Sequence, residues 1–128
     1  MRIAIFGAGG AGGYFGARLA RSGEDVTFIA RGEHLEAIRQ HGLRVDSILG
    51  DFVVSPAKVT GDPEQVGQVD MILLGVKAWQ VKSVLPSLRS LIGAQTTIVP
   101  LQNGVESPDL LTQAFGATHV VGGLAKII

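Results

Sequence analysis

Three glycines stand at positions 7, 9 and 12 in the stretch RIAIFGAGGAGGYFGARLARSG, residues 2–23. Glycine is costly inside regular structure, so such a cluster needs a geometric reason. The spacing G-x-G-x-x-G suits a turn that binds phosphate. Gly7 allows a tight turn out of a strand, and Gly9 lets the backbone approach a pyrophosphate with no side chain between. Gly12 lets the next helix pack close to the sheet, and Gly16 keeps that face flat one turn later. Ala8, Gly10 and Ala11 complete a loop of small residues. The free N–H groups at the start of the helix then face an anion. Alone the motif is weak; its place after a strand and before a helix is what raises it.

A second group of candidates follows the second strand-like run, VTFIA. Dinucleotide sites for NAD end this strand with Asp or Glu, which binds the adenosine ribose hydroxyls. Here Arg31 occupies that place, 19 residues after Gly12. A carboxylate would repel a 2′-phosphate, whereas a guanidinium grips it with two parallel hydrogen bonds. Glu33 comes too late, after Gly32. The residues therefore read as a site for NADP rather than NAD.

Two further groups follow later strands. In GVKAWQVK, Lys77 and Gln80 are three apart and share a face of a first helical turn. A lysine at a helix N-terminus faces the unfavourable end of the dipole, which an acceptor or ligand would explain. Trp79 has two readings, the wall of a nucleotide pocket and a packing role, of which packing is preferred. In PLQNGVE, Asn103 carries both donor and acceptor groups, although Asn-Gly is also an ordinary turn signal.

These groups need a scaffold that brings strand ends together. The chain has 128 residues, enough for one domain with a substantial core. It is 46% hydrophobic and 17% charged, which is a globular composition. Lys plus Arg and Asp plus Glu both number 11, so nothing suggests a nucleic-acid partner or a membrane-binding basic face. No apolar run approaches the ~20 residues of a membrane helix. The expectation is a soluble cytoplasmic protein. Cysteine is absent, which removes disulfides, thiolate metal sites and thiol nucleophiles. His34, His41 and His119 lack the partners of a metal set and read as surface or core residues; no metal site is expected.

Strand-like and helix-like segments alternate. Strands are expected at 2–6, 26–30, 56–60, 71–76, 96–101 and 119–128. Helices are expected at 10–22, 33–40, 80–92 and 107–115, with Pro86 distorting the third. The segment LRVDSILGDFVV reads as a small antiparallel hairpin turning near Leu49 and Gly50. GDPEQV reads as a short helical turn with Asp62 as N-cap and Pro63 first. Pro100 should weaken the end of its strand. The alternation implies βαβ units: an α/β Rossmann-type, doubly wound, mainly parallel sheet with helices on both faces. Ligands of such sheets bind beyond the carboxyl ends of the strands, where every candidate group falls. The sequence stops within the apolar run VVGGLAKII, which suggests one part of something larger. That apolar end also favours self-association, so a homodimer is expected.

The stretch at residues 2–43, then VKAWQ, then QNGVE, resembles the N-terminal half of ketopantoate reductase (2-dehydropantoate 2-reductase). The resemblance covers almost the whole chain, and Lys-Ala-x-Gln followed by Gln-Asn-Gly is far more specific than the glycine motif. It implies a dinucleotide-binding domain over residues 1–128, NADPH as cofactor, and ketopantoate or a similar 2-keto acid as the small-molecule substrate. Reduction to pantoate is a step toward pantothenate and coenzyme A. By resemblance, residues 7–12 hold the pyrophosphate and Arg31 the 2′-phosphate. Lys77 and Asn103 contact the cofactor ribose and the nicotinamide–substrate region, supported by Gln80, and the backbone near Ile128 passes the nicotinamide. The family's general-acid lysine sits on a second, mainly helical domain that these 128 residues do not include. Lys126 is not a substitute for it. The chain alone is therefore expected to bind NADPH without turnover.

Two other functions compete. A stand-alone NAD(P)-sensing module would need no groups aimed at a substrate, and KAWQ and QNG argue against it. A methyltransferase using S-adenosylmethionine would want an acidic residue where Arg31 stands.

Overall fold

A computed structural model describes residues 1–102 and 106–121. Five parallel strands form one sheet: β1 (Arg2–Phe6), β2 (Asp25–Ile29), β5 (Lys58–Thr60), β6 (Val69–Leu74) and β7 (Ile92–Pro100). Their order across the sheet is β5-β2-β1-β6-β7. The first strand is therefore central, and the chain order reverses beside it, between β1 and β6.

Residues of β1 alternate between two cores. Ile3 and Ile5 pack with Phe28, Ala17 of helix α1 (Gly10–Arg21) and Ile38 of helix α2 (Gly32–His41). Ala4 and Phe6 pack with Leu74, Val84 and Leu88 of helix α3 (Val81–Leu88) and Leu111 of helix α4 (Glu106–Phe115). Both faces of the sheet are covered, which is why the strand reads as an unbroken apolar run. Gly16 sits where α1 crosses the sheet: a Cβ there would fall 2.6 Å from Ile5 Cγ1 and 2.7 Å from Phe28 Cε1. A larger residue would lift the helix off the core.

The expected hairpin is present. Strand β3 (Leu43–Val45) pairs antiparallel with β4 (Phe52–Val54) as a separate two-stranded sheet. Arg18 and Arg21 of α1 lie over the Phe52 ring, 5.0 and 4.6 Å from its centre. The turn at Pro63–Gln65 is a 3₁₀ helix, and the Asp62 carboxylate accepts from the Glu64 N–H at 3.0 Å.

The expected helix over 80–92 is three shorter pieces. A 3₁₀ turn at Ala78–Gln80 leads into α3, and a second at Arg89–Leu91 follows it. Pro86 has no N–H for the carbonyl one turn back and crowds it, and the α-helix ends two residues later. Ile92 already belongs to β7. The register of β7 on β6 then slips, from Val69 opposite Ile92 to Met71 opposite Thr97. Thr96 bridges the slip: its buried hydroxyl donates to the Val69 carbonyl at 2.5 Å and accepts from the Gly93 N–H at 2.8 Å.

Pro100 ends β7 opposite Leu74, and the next N–H, that of Leu101, donates to the Leu74 carbonyl at 3.0 Å. Of the expected last strand, His119 ends a 3₁₀ turn at Ala117–His119, and Val120 bridges Ile98 in parallel. His119 Nδ1 lies 2.8 Å from the Thr96 carbonyl, so this histidine ties the turn to β7. Residues 122–128 of the expected strand, with Lys126 and Ile128, lie outside the described residues. No helix among the described residues is long and apolar enough to cross a membrane.

Candidate functional site

A cavity of about 890 Å³ opens at the carboxyl ends of the parallel strands. Its centre is the loop between β1 and α1. Gly7 has φ +92°, a conformation that side chains disfavour, and an added Cβ would lie 2.8 Å from the Val76 nitrogen. Gly12 is buried beneath the loop, where a Cβ would fall 2.2 Å from the Gly7 carbonyl oxygen. Gly75, just past β6, completes the contact. A Cβ there would sit 2.7 Å from the same Gly7 oxygen and 2.9 Å from the Gly12 Cα. Three backbones thus meet where no side chain fits. Gly12 works here, against the loop and the β6 exit, while Gly16 gives the close approach of helix to sheet.

Gly9 is different. It caps α1 with an ordinary extended backbone, φ −83° and ψ 157°, and nothing lies within 4 Å of an added Cβ. Its missing side chain leaves open space at the cavity floor, beside Ala8 and Ala11. No side chain caps α1, and its first turn holds no acidic residue. The N–H groups there are available to an anion. Gly10 is the first residue of this helix.

Charge is distributed on both sides of the loop. Arg31, at the N-cap of α2 after β2, lines one end. Lys77, beyond β6, lines the other. Because β1 lies between β2 and β6, a ligand reaching both cations crosses the glycine loop midway. Among the described residues, no Asp or Glu lines the cavity. Such a site suits an extended, multiply anionic ligand.

Lys77 is the N-cap of the 3₁₀ turn rather than a residue of a helical face. Gln80 accepts the Lys77 N–H through Oε1 at 3.0 Å and donates its own N–H to the Lys77 carbonyl at 2.8 Å. The two are brought together as the spacing suggests, but through the backbone of Lys77. Trp79, expected to pack, is 80% exposed. The tight turn aims Ala78 and Gln80 at the cavity and leaves the indole outside. Asn103 and Ile128 lie outside the described residues.

Among the cavity residues that sequence reasoning missed are His34, Gly75 and Gln102. His34 follows Arg31 by three and joins it on the rim. Gly75 repeats the pattern of Gly7, a glycine at the end of an apolar strand, and that repetition was a usable signal. Gln102 is buried just past β7, and the sequence gives it no role apart from the Gln-Asn-Gly block.

Residues 3–127 match the family model described as ketopantoate reductase PanE/ApbA. The 2-dehydropantoate 2-reductase of Mesorhizobium japonicum is 41% identical over 106 residues, covering 82% of this chain and 32% of that protein. The crystal structure of 2-dehydropantoate 2-reductase from Geobacter metallireducens has a TM-score of 0.89 and 42% identity, over 94% of this chain and 40% of that one. A D-mandelate dehydrogenase in ternary complex with NADH and anilino(oxo)acetate has a TM-score of 0.83 and 32% identity, over 94% of this chain and 39% of that one. The chain spans less than half the length of these relatives. With its doubly wound sheet, glycine interlock and cavity in place, the chain belongs to the ketopantoate reductase family.

Proposed function

We propose that this chain binds NADPH as the dinucleotide-binding half of a reductase acting on ketopantoate or a similar 2-keto acid. The observation that carries this reading is the cavity itself: a glycine loop at its centre, cations on both sides, and no carboxylate in its described lining. The open space in front of Gly9 fits a pyrophosphate, which a side chain there would displace. When bound, NADPH supplies the hydride for a carbonyl carbon.

The chain's own groups bind and orient. The loop at Gly7, Ala8 and Gly9 and the first N–H groups of α1, from Gly10, Ala11 and Gly12, hold the pyrophosphate. Arg31 pairs with the 2′-phosphate, and Lys77, held by Gln80, reaches the ribose at the nicotinamide end. Asn103 and the backbone at Ile128 complete the nicotinamide–substrate side by family resemblance. The proton for the carbonyl oxygen comes, by the same resemblance, from a lysine on a second, helical domain. The mandelate dehydrogenase neighbour is described with NADH. Arg31 is what favours the phosphorylated cofactor in this chain. A cytoplasmic location and a homodimer through apolar surface near Val121 belong to the same proposal.

Trp79 is the only tryptophan of the chain and stands two residues from Lys77. Titration with NADPH should quench its emission by energy transfer, and adding ketopantoate should leave the NADPH absorbance unchanged. Failure to bind would overturn the cofactor reading. Consumption of NADPH by these 128 residues would place the proton donor within this chain.

A further inference from the structure

Gln102 is a buried polar side chain beside the cavity, only 7% exposed. Its Nε2 donates to two backbone carbonyls, that of Leu74 at 2.9 Å and that of Val76 at 2.6 Å. Both hydrogens of the amide are thereby used. The two carbonyls flank Gly75, the residue that meets Gly7 and Gly12. The Gly75 N–H in turn donates to the Phe6 carbonyl at 2.8 Å. The exit of β6 is thus held from β7 on one side and from β1 on the other. The next residue after Val76 is Lys77.

We infer that Gln102 is a positioning residue for the dinucleotide. It fixes Val76 and Lys77 against the glycine loop and so sets the half of the site beyond the pyrophosphate. The adenosine half is built on β2 and α2, which Gln102 does not touch through these bonds. A buried amide with both hydrogens on backbone carbonyls tolerates little displacement: the Leu74 carbonyl keeps the Leu101 N–H, but moving the amide takes this donor from the Val76 carbonyl and leaves buried Nε2 hydrogens unpaired. Gln102→Met removes both donors at similar volume. Gln102→Glu sets a carboxylate against two carbonyl oxygens. The inference rests on the NADPH reading above.

The test compares two ligands on the 128-residue chain: NADPH, and adenosine 2′,5′-bisphosphate, which lacks the nicotinamide half. Gln102→Met and Gln102→Glu should weaken NADPH about tenfold or more, since small misplacements of binding groups are costly. The bisphosphate should bind nearly as it does to the parent chain. A general structural defect would instead weaken both ligands by the same factor, and that result overturns the inference. So does unchanged NADPH affinity in Gln102→Met. Should either variant unfold, Gln102→Asn keeps an amide too short to reach both carbonyls; it should show the same split at smaller size, and equal weakening would again overturn the inference. If the parent chain binds no NADPH, the cofactor reading falls first and takes this inference with it.

Discussion

Gly75 and Gly12 are in backbone contact: a methyl group on Gly75 would lie 2.9 Å from the Gly12 Cα. They belong to different βα units, and their contact joins the exit of β6 to the first turn of α1. The pair leaves no room for a side chain beneath the glycine loop.

Gly75→Ala should therefore cost stability, by about 1–3 kcal/mol, the usual range for overpacking. The methyl meets backbone at Gly7 and Gly12, which cannot rotate away as a side chain would. Thermal or denaturant unfolding measures this directly. An unchanged midpoint would mean that the junction opens at little cost.

Gly9→Val should behave in the opposite way. Its backbone is in a region open to all residues, and no atom lies within 4 Å of an added Cβ. Stability should change by no more than about 1 kcal/mol, the scale of an N-cap substitution. NADPH binding should be lost, because the side chain fills the space left for the pyrophosphate. Unfolding and ligand titration on the same sample separate the two effects. Normal NADPH binding by this variant would contradict the phosphate reading of the loop.

The contrast between these two glycines shows what the sequence made legible. The G-x-G-x-x-G spacing after a strand identified the turn at Gly7 and the opening at Gly9. Arg31 and Lys77 were found because both follow strands in a parallel sheet, and strand ends converge. Gly75 and Gln102 were not found, since their work is done on backbone atoms distant in sequence, and a motif does not display such contacts. The helix expected over 80–92 is present only in part. Its division into 3₁₀ and α pieces depends on Pro86 and on where β7 must begin to meet β6. Trp79 faces outward, against the expectation that an indole packs, because the tight turn after Lys77 points it away from the cavity.

Acid sensitivity should trace in part to the sheet edge. Lys58 of β5 bonds the Asp25 carboxylate of β2, and this hydrogen bond holds the carboxyl below its ordinary value. The charges of Lys58 and Arg2 act in the same direction. A carboxyl lowered in the folded state contributes stability above its unfolded pKa, and that contribution is lost as pH falls through the folded value. The window lies below about pH 4. Lys58→Met should flatten the loss of stability there. Near neutral pH the variant should lack that same contribution, a small one because the pair is exposed to solvent, and it should converge on the parent chain in acid. Denaturant unfolding between acid and neutral pH checks both limbs.

Arg31 is proposed to make this cavity select NADPH. Calorimetric titration of the chain with NADPH and with NADH tests it most directly. NADPH should bind at least about tenfold more tightly, the scale of a charge-assisted hydrogen-bonded pair. Arg31→Ala should remove that difference while leaving NADH affinity nearly unchanged. Equal affinity of the unaltered chain for the two dinucleotides, or no binding of either, would rule out this role for Arg31 and the cavity.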